Sequence, residues 1–291
     1  MKPAAFEYHR PDTAADAVAL LSELGDDAKV LAGGQSLVPM LNLRLAVFEH
    51  LVDISRIPEL EGIERRGDSL WIGAGTTEAA AERSSLVTET VPLLARSLPY
   101  IGHFQIRNRG TVGGSIAHAD PAAELPAVAV ALDATIEVLG PQGARSIPAA
   151  EFFTGLWSSA LEPEELLTGV SFPIWSGRCG FAVQEFARRH GDFAMAGAVV
   201  ALELDGSGSV ARSGIGLIGM GTVPERASAS EAAAAGKAAS EIDAEEIGRL
   251  AVEGLDSIPS DMHGSAAYRS RVGAAMVSRA WTAATKEALD V

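Results

Sequence analysis

Hydrophobic residues follow a helical spacing near the amino terminus and a strand-like spacing soon after it. The apolar positions of residues 14–24 lie between the typical helix cap Thr13 and Gly25, which predicts a helix that ends at this glycine. The apolar run 29–31 predicts a strand, and residues 37–45 predict the opening of a second helix. The chain is therefore expected to begin as a small α/β unit.

The middle of the chain alternates between the same two kinds of element. Two more strands of the first unit are predicted at 51–53 and 70–73, with a turn at 66–68 before the second of them. Beyond this unit, the apolar positions predict three helices and then a strand, at 78–83, 92–98, 122–132 and 135–139. Pro121 precedes the third helix, whose apolar body is expected in the core.

The last part of the chain changes to long apolar strands followed by alanine-rich helices. Strands are predicted at 181–186, 194–204 and 210–218, and the sequence Asp205-Gly206-Ser207-Gly208-Ser209 predicts a hairpin between the last two. Helices are predicted at 225–240, 244–254 and 266–289, with Ser260 and Asp261 as a cap before the last. These elements indicate three antiparallel strands backed by helices.

Two glycine pairs interrupt the predicted elements, in Ala32-Gly33-Gly34-Gln35-Ser36 and in Thr111-Val112-Gly113-Gly114-Ser115. Glycine lets backbone N–H groups approach an anion closely, and a tight turn between a strand and a helix is a common place for a phosphate group. Two such loops suit the pyrophosphate of a dinucleotide, held from two sides. Either loop alone is more often an ordinary turn, so this prediction depends on the sequences around the loops.

A third glycine pattern, Gly214-Ile215-Gly216-Leu217-Ile218-Gly219, matches the G-x-G-x-x-G motif of dinucleotide-binding proteins. That motif ends a buried strand and begins a helix. Here it lies inside a strand-like stretch, and Met220-Gly221-Thr222-Val223-Pro224 follows it. The pattern is therefore interpreted as a strand that contains glycines.

Composition and charge exclude several classes of protein. With 291 residues, 47% of them hydrophobic, the chain can bury a sizeable core in two or more domains. The amino terminus has no signal-peptide pattern and no uncharged run is long enough to span a bilayer, so a cytoplasmic location is expected. The net charge of −15 disfavours nucleic acid and anionic membranes as partners.

No metal site is expected from the spacing of the possible ligands. The single cysteine, Cys179, cannot hold an iron–sulfur cluster, which usually takes four thiolates. The six histidines include no pair at a spacing of three or four residues and no zinc motif. Any iron–sulfur cluster that works with this chain is therefore expected on another chain.

The sequences around the two glycine pairs resemble one family. AGGQSLVPMLNLRLA, at 32–46, and IRNRGTVGGSIAHADPAAELPAV, at 106–128, resemble the FAD-binding medium subunit of the molybdenum hydroxylases, which include carbon monoxide dehydrogenase and xanthine dehydrogenase. The likeness runs nearly end to end.

The resemblance implies an α+β fold with two domains. Residues 1–176 would form a two-subdomain FAD-binding domain of the vanillyl-alcohol-oxidase (PCMH) type, with subdomains at about 1–75 and 76–176. Residues 177–291 would form the C-terminal domain of the carbon monoxide dehydrogenase flavoprotein, a three-stranded antiparallel sheet with helices.

The same resemblance implies which residues contact FAD. The residues expected at the pyrophosphate belong to the two glycine loops: Lys29, Leu31, Ala32, Gly33, Gly34, Gln35, Ser36, Leu37, Thr111, Val112, Gly113, Gly114 and Ser115. The other expected contacts are spread along the chain: Ile101, Gly102, Asp120, Glu124, Leu167, Gln184, Asp192 and Phe193. Two alternatives stay open, because Asp120 also suits a helix cap, and Arg188, Arg189 and Asp192 also suit surface ion pairs.

The function implied is electron transfer. The FAD of this subunit would take electrons from [2Fe–2S] clusters on a small subunit, after substrate hydroxylation at a molybdenum cofactor on a large subunit, and pass them to an external acceptor. The whole would be a dimer of heterotrimers. Gln184 and the pair His190-Gly191 depart from relatives that use NAD, which favours oxygen, a quinone or a protein carrier as the acceptor.

Two other functions stay open from the sequence. One is a stand-alone flavoenzyme of the same fold with its own substrate pocket. The other is an assembly or binding protein that has lost the cofactor, although both glycine loops are intact. No catalytic acid, base or nucleophile is expected in the favoured interpretation, because the flavin carries the chemistry.

Overall fold

Three β-sheets and a separate two-stranded hairpin, with helices between and around them, form residues 2–290, the part of the chain that this computed structural model describes. The first sheet has three parallel strands in the order β1-β3-β2. Its strands and helices are β1 (Glu7–His9), α1 (Ala14–Leu24), β2 (Ala28–Leu31), α2 (Leu37–Leu43) and β3 (His50–Asp53).

Helix α1 lies where the hydrophobic spacing predicts it. Oγ1 of Thr13 accepts a hydrogen bond of 3.0 Å from the N–H of Asp16 and caps the helix, and Gly25, with φ +58°, ends it. The buried face of α1, which includes Ala17 and Leu21, packs against Val52 in the first sheet. The apolar stripe of α1 therefore covers one face of this small sheet.

The second sheet is larger and antiparallel, with its five strands in the order β4-β5-β10-β6-β7. Its members and neighbouring elements are β4 (Ile63–Arg66), β5 (Ser69–Gly73), α3 (Glu78–Glu82), α4 (Ser85–Thr90), α5 (Pro92–Ser97), α6 (Phe104–Arg107), α7 (Val112–His118), α8 (Glu124–Ala131), β6 (Thr135–Gly140), β7 (Gly143–Pro148), α9 (Ala149–Phe152), β8 (Phe153–Gly155), β9 (Ser158–Ser159) and β10 (Leu166–Pro173). β8 and β9 form a separate small hairpin.

The third sheet is antiparallel and has its strands in the order β11-β12-β13-β14. Its elements are β11 (Arg178–Phe186), β12 (Ala196–Leu204), β13 (Val210–Ile218), β14 (Glu225–Arg226), α10 (Ser228–Ala234), α11 (Ala244–Val252) and α12 (Ala266–Asp290). One face of the sheet packs against α12 through Met276 and Trp281. The other face contributes Val199 and Ile218 to the core that contains α8.

The glycines of the G-x-G-x-x-G pattern let helix α8 approach the third sheet. A Cβ atom on Gly214 would lie 2.0 Å from the carbonyl oxygen of Ala131, and one on Gly216 would lie 2.3 Å from that of Ala127. Both oxygens belong to the backbone of α8. The pattern is thus part of a strand, as interpreted from the sequence, and it is needed for close packing.

An ion pair also joins helix α5 to helix α12. The guanidinium of Arg96, on α5, donates to both carboxylate oxygens of Glu287, on α12, at 2.6 Å each. Glu287 also accepts a hydrogen bond of 3.0 Å from the N–H of Phe181 on β11. The carboxylate of Glu287 thus links α12, α5 and the first strand of the third sheet.

One predicted strand lies in another sheet than expected, and the sequence did not predict the central strand of that sheet. The strand predicted at 70–73 belongs to the second sheet, between β4 and β10, and not to the first unit. β10 itself was not predicted, although it forms the centre of that sheet and carries Leu167. Its place follows from pairing with β5 and β6, which are distant in the sequence.

The expected three-stranded sheet and the helix at 225–240 are both wrong. Residues 225–226 pair with β13 as a fourth strand, and the helix extends only over 228–234. Arg226 is held there by ion pairs with Asp133 and Glu231, and Glu231 accepts from the N–H of Ile215 at 2.8 Å. These contacts favour an extended backbone at 225–226.

One predicted helix start is displaced, and another helix starts where predicted but has a different cap. Helix α8 begins at Glu124, and Asp120 does not cap it, because its carboxylate accepts from the N–H of Ala122 in the preceding turn. Helix α12 begins at Ala266, where Oγ of Ser265 accepts from the N–H of Tyr268. Ser260 and Asp261 lie upstream of this cap. Within residues 2–290, no helix is both long enough and apolar enough to cross a membrane.

Candidate functional site

The first glycine loop lines a cleft at the carboxyl end of strand β2. The cleft has a volume of about 420 Å³ and lies between the end of the first sheet and residues Ile106 and Arg109, which precede the second glycine loop. Five of the predicted site residues line it: Leu31, Ala32, Gly33, Gly34 and Gln35. Three more predicted residues lie at the ends of this loop: Lys29 is in β2, Ser36 directly precedes α2, and Leu37 is the first residue of α2. This part of the predicted site is therefore assembled in one place.

The first loop has backbone donors available for an anion. Within residues 2–290, the N–H groups of Gly33, Gly34, Gln35 and Ser36 donate no hydrogen bond to another part of the chain. Gly34 has φ +72°, a conformation that favours glycine, and this turn directs the loop from β2 into α2. Because unpaired N–H groups beside a cleft suit phosphate oxygens, this loop fits a pyrophosphate group.

The second glycine loop differs from the first, because its N–H groups already have partners. Thr111 caps helix α7, and its Oγ1 accepts from the N–H of Gly114 at 3.0 Å. The N–H groups of Val112 and Gly113 donate to the carbonyl oxygens of Thr76 and Ala74, at 3.0 Å each, and that of Ser115 donates to Thr111. The second loop is therefore a packed helix start, and its glycines have packing roles.

Those packing roles bring the two loops together. A Cβ on Gly113 would lie 2.4 Å from the Cβ of Ala74, so this glycine lets α7 lie against the end of β5. A Cβ on Gly33 would lie 2.1 Å from the carbonyl oxygen of Arg109, just before the second loop. A Cβ on Gly114 would lie 3.5 Å from the Cβ of Ala32. The two loops thus lie against each other beside the cleft, which the first loop lines.

A second group of predicted residues lies around His103. Gly191 packs against its ring, because a Cβ on Gly191 would lie 2.6 Å from the ring carbon Cε1. The ring of His190 lies 5.9 Å from that of His103, between centroids. Ile101 and Gly102 therefore lie beside the segment that carries Asp192 and Phe193. The side chain of Phe193 is 66% exposed.

Leu167 and Gln184 lie outside both groups, and Asp192 of the second group lies at the surface. Leu167 is buried in β10, in register with Val138 of β6. Gln184 is half-buried on β11, in register with Ala198. Asp192 forms an ion pair of 3.4 Å with Arg189, which is the surface arrangement that the sequence left open. None of these three side chains lines the cleft.

The cleft also contains side chains that the sequence analysis missed, among them Asp53, Ile106 and Arg109. Asp53 ends β3, the parallel neighbour of β2, and its carboxylate accepts a hydrogen bond from the hydroxyl of Tyr8. Burial by itself raises the pKa of Asp53, but the hydrogen bonds from Tyr8 and Ser55 and the charge of Arg10 together lower it below its ordinary value. The position of Asp53 was predictable in principle, because ligands of parallel sheets lie at the carboxyl ends of the strands.

Buried carboxyl groups lie beside the second loop. Burial raises the pKa of Glu78 to about 8 and that of Glu124 to about 8, and the charge of Glu185 adds to the effect at Glu124. Burial also raises the pKa of Glu185 to about 7. A Cβ on Gly110 would lie 2.5 Å from Oε2 of Glu78, so this glycine leaves room for the carboxyl group.

These raised pKa values predict a loss of stability as pH rises. In the unfolded chain the Glu78 carboxyl loses its proton near its ordinary pKa of 4.5, whereas in the folded chain it keeps it until about 8. Between these values unfolding releases a proton, so the free energy of unfolding falls with rising pH. We expect Glu78→Gln to make this slope shallower by about 1.4 kcal/mol per pH unit, in urea unfolding between about pH 5 and 8.

The exposed residue Glu151 provides the control, since Glu151→Gln is expected to leave the slope unchanged. An identical slope for Glu78→Gln and the wild type would contradict a protonated Glu78 in the folded protein.

Comparisons with known proteins identify the family of the chain. Residues 4–175 match the model of the FAD binding domain in molybdopterin dehydrogenase, and residues 181–284 match that of the CO dehydrogenase flavoprotein C-terminal domain. The chain belongs to the FAD-binding medium subunits of the molybdenum hydroxylases. It is thus part of an oxidoreductase, and its cofactor is FAD.

Individual medium subunits are similar to this chain over their whole length. The 6-hydroxypseudooxynicotine dehydrogenase complex subunit alpha of Paenarthrobacter nicotinovorans is 42% identical and is aligned over 100% of both chains. The carbon monoxide dehydrogenase medium chain of Hydrogenophaga pseudoflava is 39% identical over 98% of each.

Solved structures of this family have the same fold as the chain. Carbon monoxide dehydrogenase from H. pseudoflava superposes with a TM-score of 0.95, at 41% identity and 99% coverage of both chains. Quinoline 2-oxidoreductase from Pseudomonas putida 86 gives a TM-score of 0.92 at 34% identity, over 99% of this chain and 100% of that one. The overall fold of the chain is thus that of a molybdenum hydroxylase medium subunit.

Proposed function

We propose that this medium subunit holds FAD between its two glycine loops and transfers electrons from [2Fe–2S] clusters of a small partner subunit to an external acceptor. The observation that carries the proposal is the run of unpaired N–H groups at Gly33, Gly34, Gln35 and Ser36 beside the cleft. The single cysteine of the chain agrees with clusters on another subunit.

Each glycine loop has a separate task in this proposal. The first loop donates N–H groups to the pyrophosphate, with Lys29 supplying positive charge at the strand before it. The second loop, from Thr111 to Ser115, closes the opposite wall and keeps water from the phosphates. Asp53 has two carboxylate oxygens that can accept from ribose hydroxyls. FAD, when bound, supplies the ability to accept and release electrons.

The remaining contacts are proposed from the family. Ile101, Gly102, Gln184, Asp192 and Phe193 would lie near the flavin ring, in agreement with the packing of Gly191 on His103. Three further residues are proposed to contact FAD: Asp120, Glu124 and Leu167. Glu124 is buried and protonated near neutral pH, so it would donate a hydrogen bond as well as accept one.

The proposed assembly follows the relatives. Their names describe a subunit of a dehydrogenase complex and a medium chain of carbon monoxide dehydrogenase. We propose an [2Fe–2S] small subunit and a molybdenum-cofactor large subunit as partners, in a dimer of heterotrimers located in the cytoplasm. We also propose a FAD-binding domain at 1–176, with subdomains at about 1–75 and 76–176, and a C-terminal domain at 177–291.

The acceptor proposed is oxygen, a quinone or a protein carrier. Gln184 and the pair His190-Gly191 stand where NAD-using relatives often carry lysine and acidic residues. The side chain of Phe193 is 66% exposed, and its ring would cover the flavin on the outer side. A chain of this kind would reduce oxygen or a quinone faster than NAD.

The test is an absorption spectrum of the purified chain from ~300 to 550 nm, with identification of the released chromophore. We expect flavin bands and released FAD, and after photoreduction we expect oxygen to reoxidise the flavin much faster than NAD does in stopped-flow mixing. Rapid reoxidation by NAD would overturn the proposed acceptor. A colourless chain that takes up no added FAD would favour the assembly or binding function, and turnover of an organic substrate by the chain alone would favour a stand-alone flavoenzyme.

A further inference from the structure

Three possible metal ligands lie together on the first sheet. Glu7 and His9 are two residues apart on β1, so their side chains point to the same face. Glu7 is in register with His50 on the parallel strand β3, which places His50 on that face as well. Residue spacing does not indicate this group, because His9 and His50 are 41 residues apart in the sequence.

The ligand atoms converge on one point. Nε2 of His9 lies 3.1 Å from Nδ1 of His50, and Oε2 of Glu7 lies 3.7 Å from the same Nδ1. One such atom from each of the three side chains lies within 4.8 Å of the other two. Tetrahedral zinc holds its ligands about 2.0–2.1 Å from the ion, which separates the ligand atoms by about 3.3 Å. Small side-chain rotations therefore suffice to enclose an ion.

The three side chains make only one hydrogen bond among themselves. In the contact between the two imidazoles, one ring nitrogen donates to the other, and Glu7 lies beyond hydrogen-bond distance of His50. An ion would replace the shared proton and bring in the carboxylate. Two neutral imidazoles and one carboxylate are ligands that zinc-type ions prefer, whereas Mg²⁺ and Ca²⁺ prefer oxygen ligands alone.

We propose that Glu7, His9 and His50 bind a divalent transition-metal ion of the zinc type. The side chain of Glu7 is 75% exposed, so water can complete the coordination as a fourth ligand. β1 has only three residues, and β3 is its one neighbour in the sheet. The ion links these two strands and holds the amino-terminal strand in place.

The proposed ion site is connected to the cleft through Tyr8. This residue lies between Glu7 and His9 and so points to the opposite face of β1, where its hydroxyl donates to Asp53. Asp53 lines the cleft. An ion that fixes β1 on β3 therefore also fixes the carboxylate of Asp53 at the cleft wall, whatever the cleft binds.

The experiment is zinc binding by the full-length chain, with any histidine tag removed, in competition with a chromophoric chelator. We expect one Zn²⁺ per chain with a Kd of ~1 µM or lower. His9→Asn and His50→Asn should each weaken binding at least ~30-fold, and Glu7→Gln about 10-fold. His263→Asn is the control and should bind as the wild type does, since His263 lies elsewhere, against Arg188.

A thermal melt gives a second readout. Zn²⁺ should raise the melting temperature of the wild type and of His263→Asn, but not that of His9→Asn, and Mg²⁺ should raise none of them. Should a histidine variant fail to fold in the presence of EDTA, Glu7→Gln keeps the test decisive, because its side chain is mostly exposed. Zinc affinity that is unchanged in Glu7→Gln and in every histidine variant that folds would overturn the proposal, as would binding of no zinc at all.

Discussion

Leucine in place of Gly114 is expected to abolish FAD retention by a chain that still folds. A Cβ at this position meets only side-chain atoms: Oγ1 of Thr111 at 2.7 Å and the Cβ of Ala32 at 3.5 Å. The hydroxyl of Thr111 can rotate away at the loss of one helix cap, which costs about 1 kcal/mol, whereas the rest of the leucine would extend between the two loops. We expect the affinity for FAD to fall at least ~100-fold, as measured by the flavin-to-protein ratio and by titration of the apoprotein.

Gly206→Leu is the matched control for this variant. Gly206 lies in the hairpin between β12 and β13, and no atom lies within 4 Å of the Cβ that would be added there. The control should keep its flavin and its melting temperature. A Gly114→Leu protein with a full complement of FAD would contradict the position that we propose for the cofactor.

Substitution of Gly33 would be a less specific test of FAD binding than substitution of Gly114, although both glycines belong to similar Gly-Gly pairs in the sequence. The Cβ of any residue at Gly33 would meet the carbonyl oxygen and carbon of Arg109, at 2.1 and 2.7 Å, and these atoms belong to the backbone. Substitution at Gly33 therefore separates the two loops, and loss of FAD would follow from a changed fold as much as from a filled cleft.

Valine in place of Gly214 is expected to destabilise the whole protein. The added Cβ would lie 2.0 Å from the carbonyl oxygen of Ala131, and neither backbone can move without displacing a buried element. Helix α8 is buried along its full length, so its displacement opens the contact with the third sheet. We expect a loss of about 3 kcal/mol or more in the free energy of unfolding.

Urea unfolding, followed by circular dichroism and by tryptophan fluorescence, would measure this effect. We expect a lower midpoint, and separate transitions by the two probes if the third sheet unfolds on its own. Ser213→Val is the control, because Ser213 precedes Gly214 in β13 and is half-exposed. Equal stability of the two variants would contradict the role given to Gly214.

Local sequence patterns predicted the elements whose formation depends mainly on local contacts. Helix α1 has its cap and its terminal glycine, and β12 and β13 are joined by a tight hairpin. β10 was missed because it is placed by pairing with β5 and β6, which are distant in the sequence, and β14 was missed because it has only two residues. Residues 225–226 adopt a strand through the ion pairs of Arg226, which the alanine-rich sequence after it does not indicate.

The candidate site was predictable to a similar extent. The first loop lines the cleft as the sequence predicts, because a glycine turn after a strand is a local feature. The second loop has the same glycine pair, yet its N–H groups are bonded to Ala74 and Thr76, which the sequence around the loop does not contain. Asp53 and Arg109 reach the cleft only through the arrangement of separate elements.

The central place of β10 also determines when the cofactor site can be complete. β10 ends at Pro173 and is the strand that joins β5 to β6. The second loop is anchored to Ala74 and Thr76, directly after β5. A ribosome must therefore release well over half of the chain before this sheet can close, so a nascent chain that already displays both glycine loops still lacks the support that holds them together.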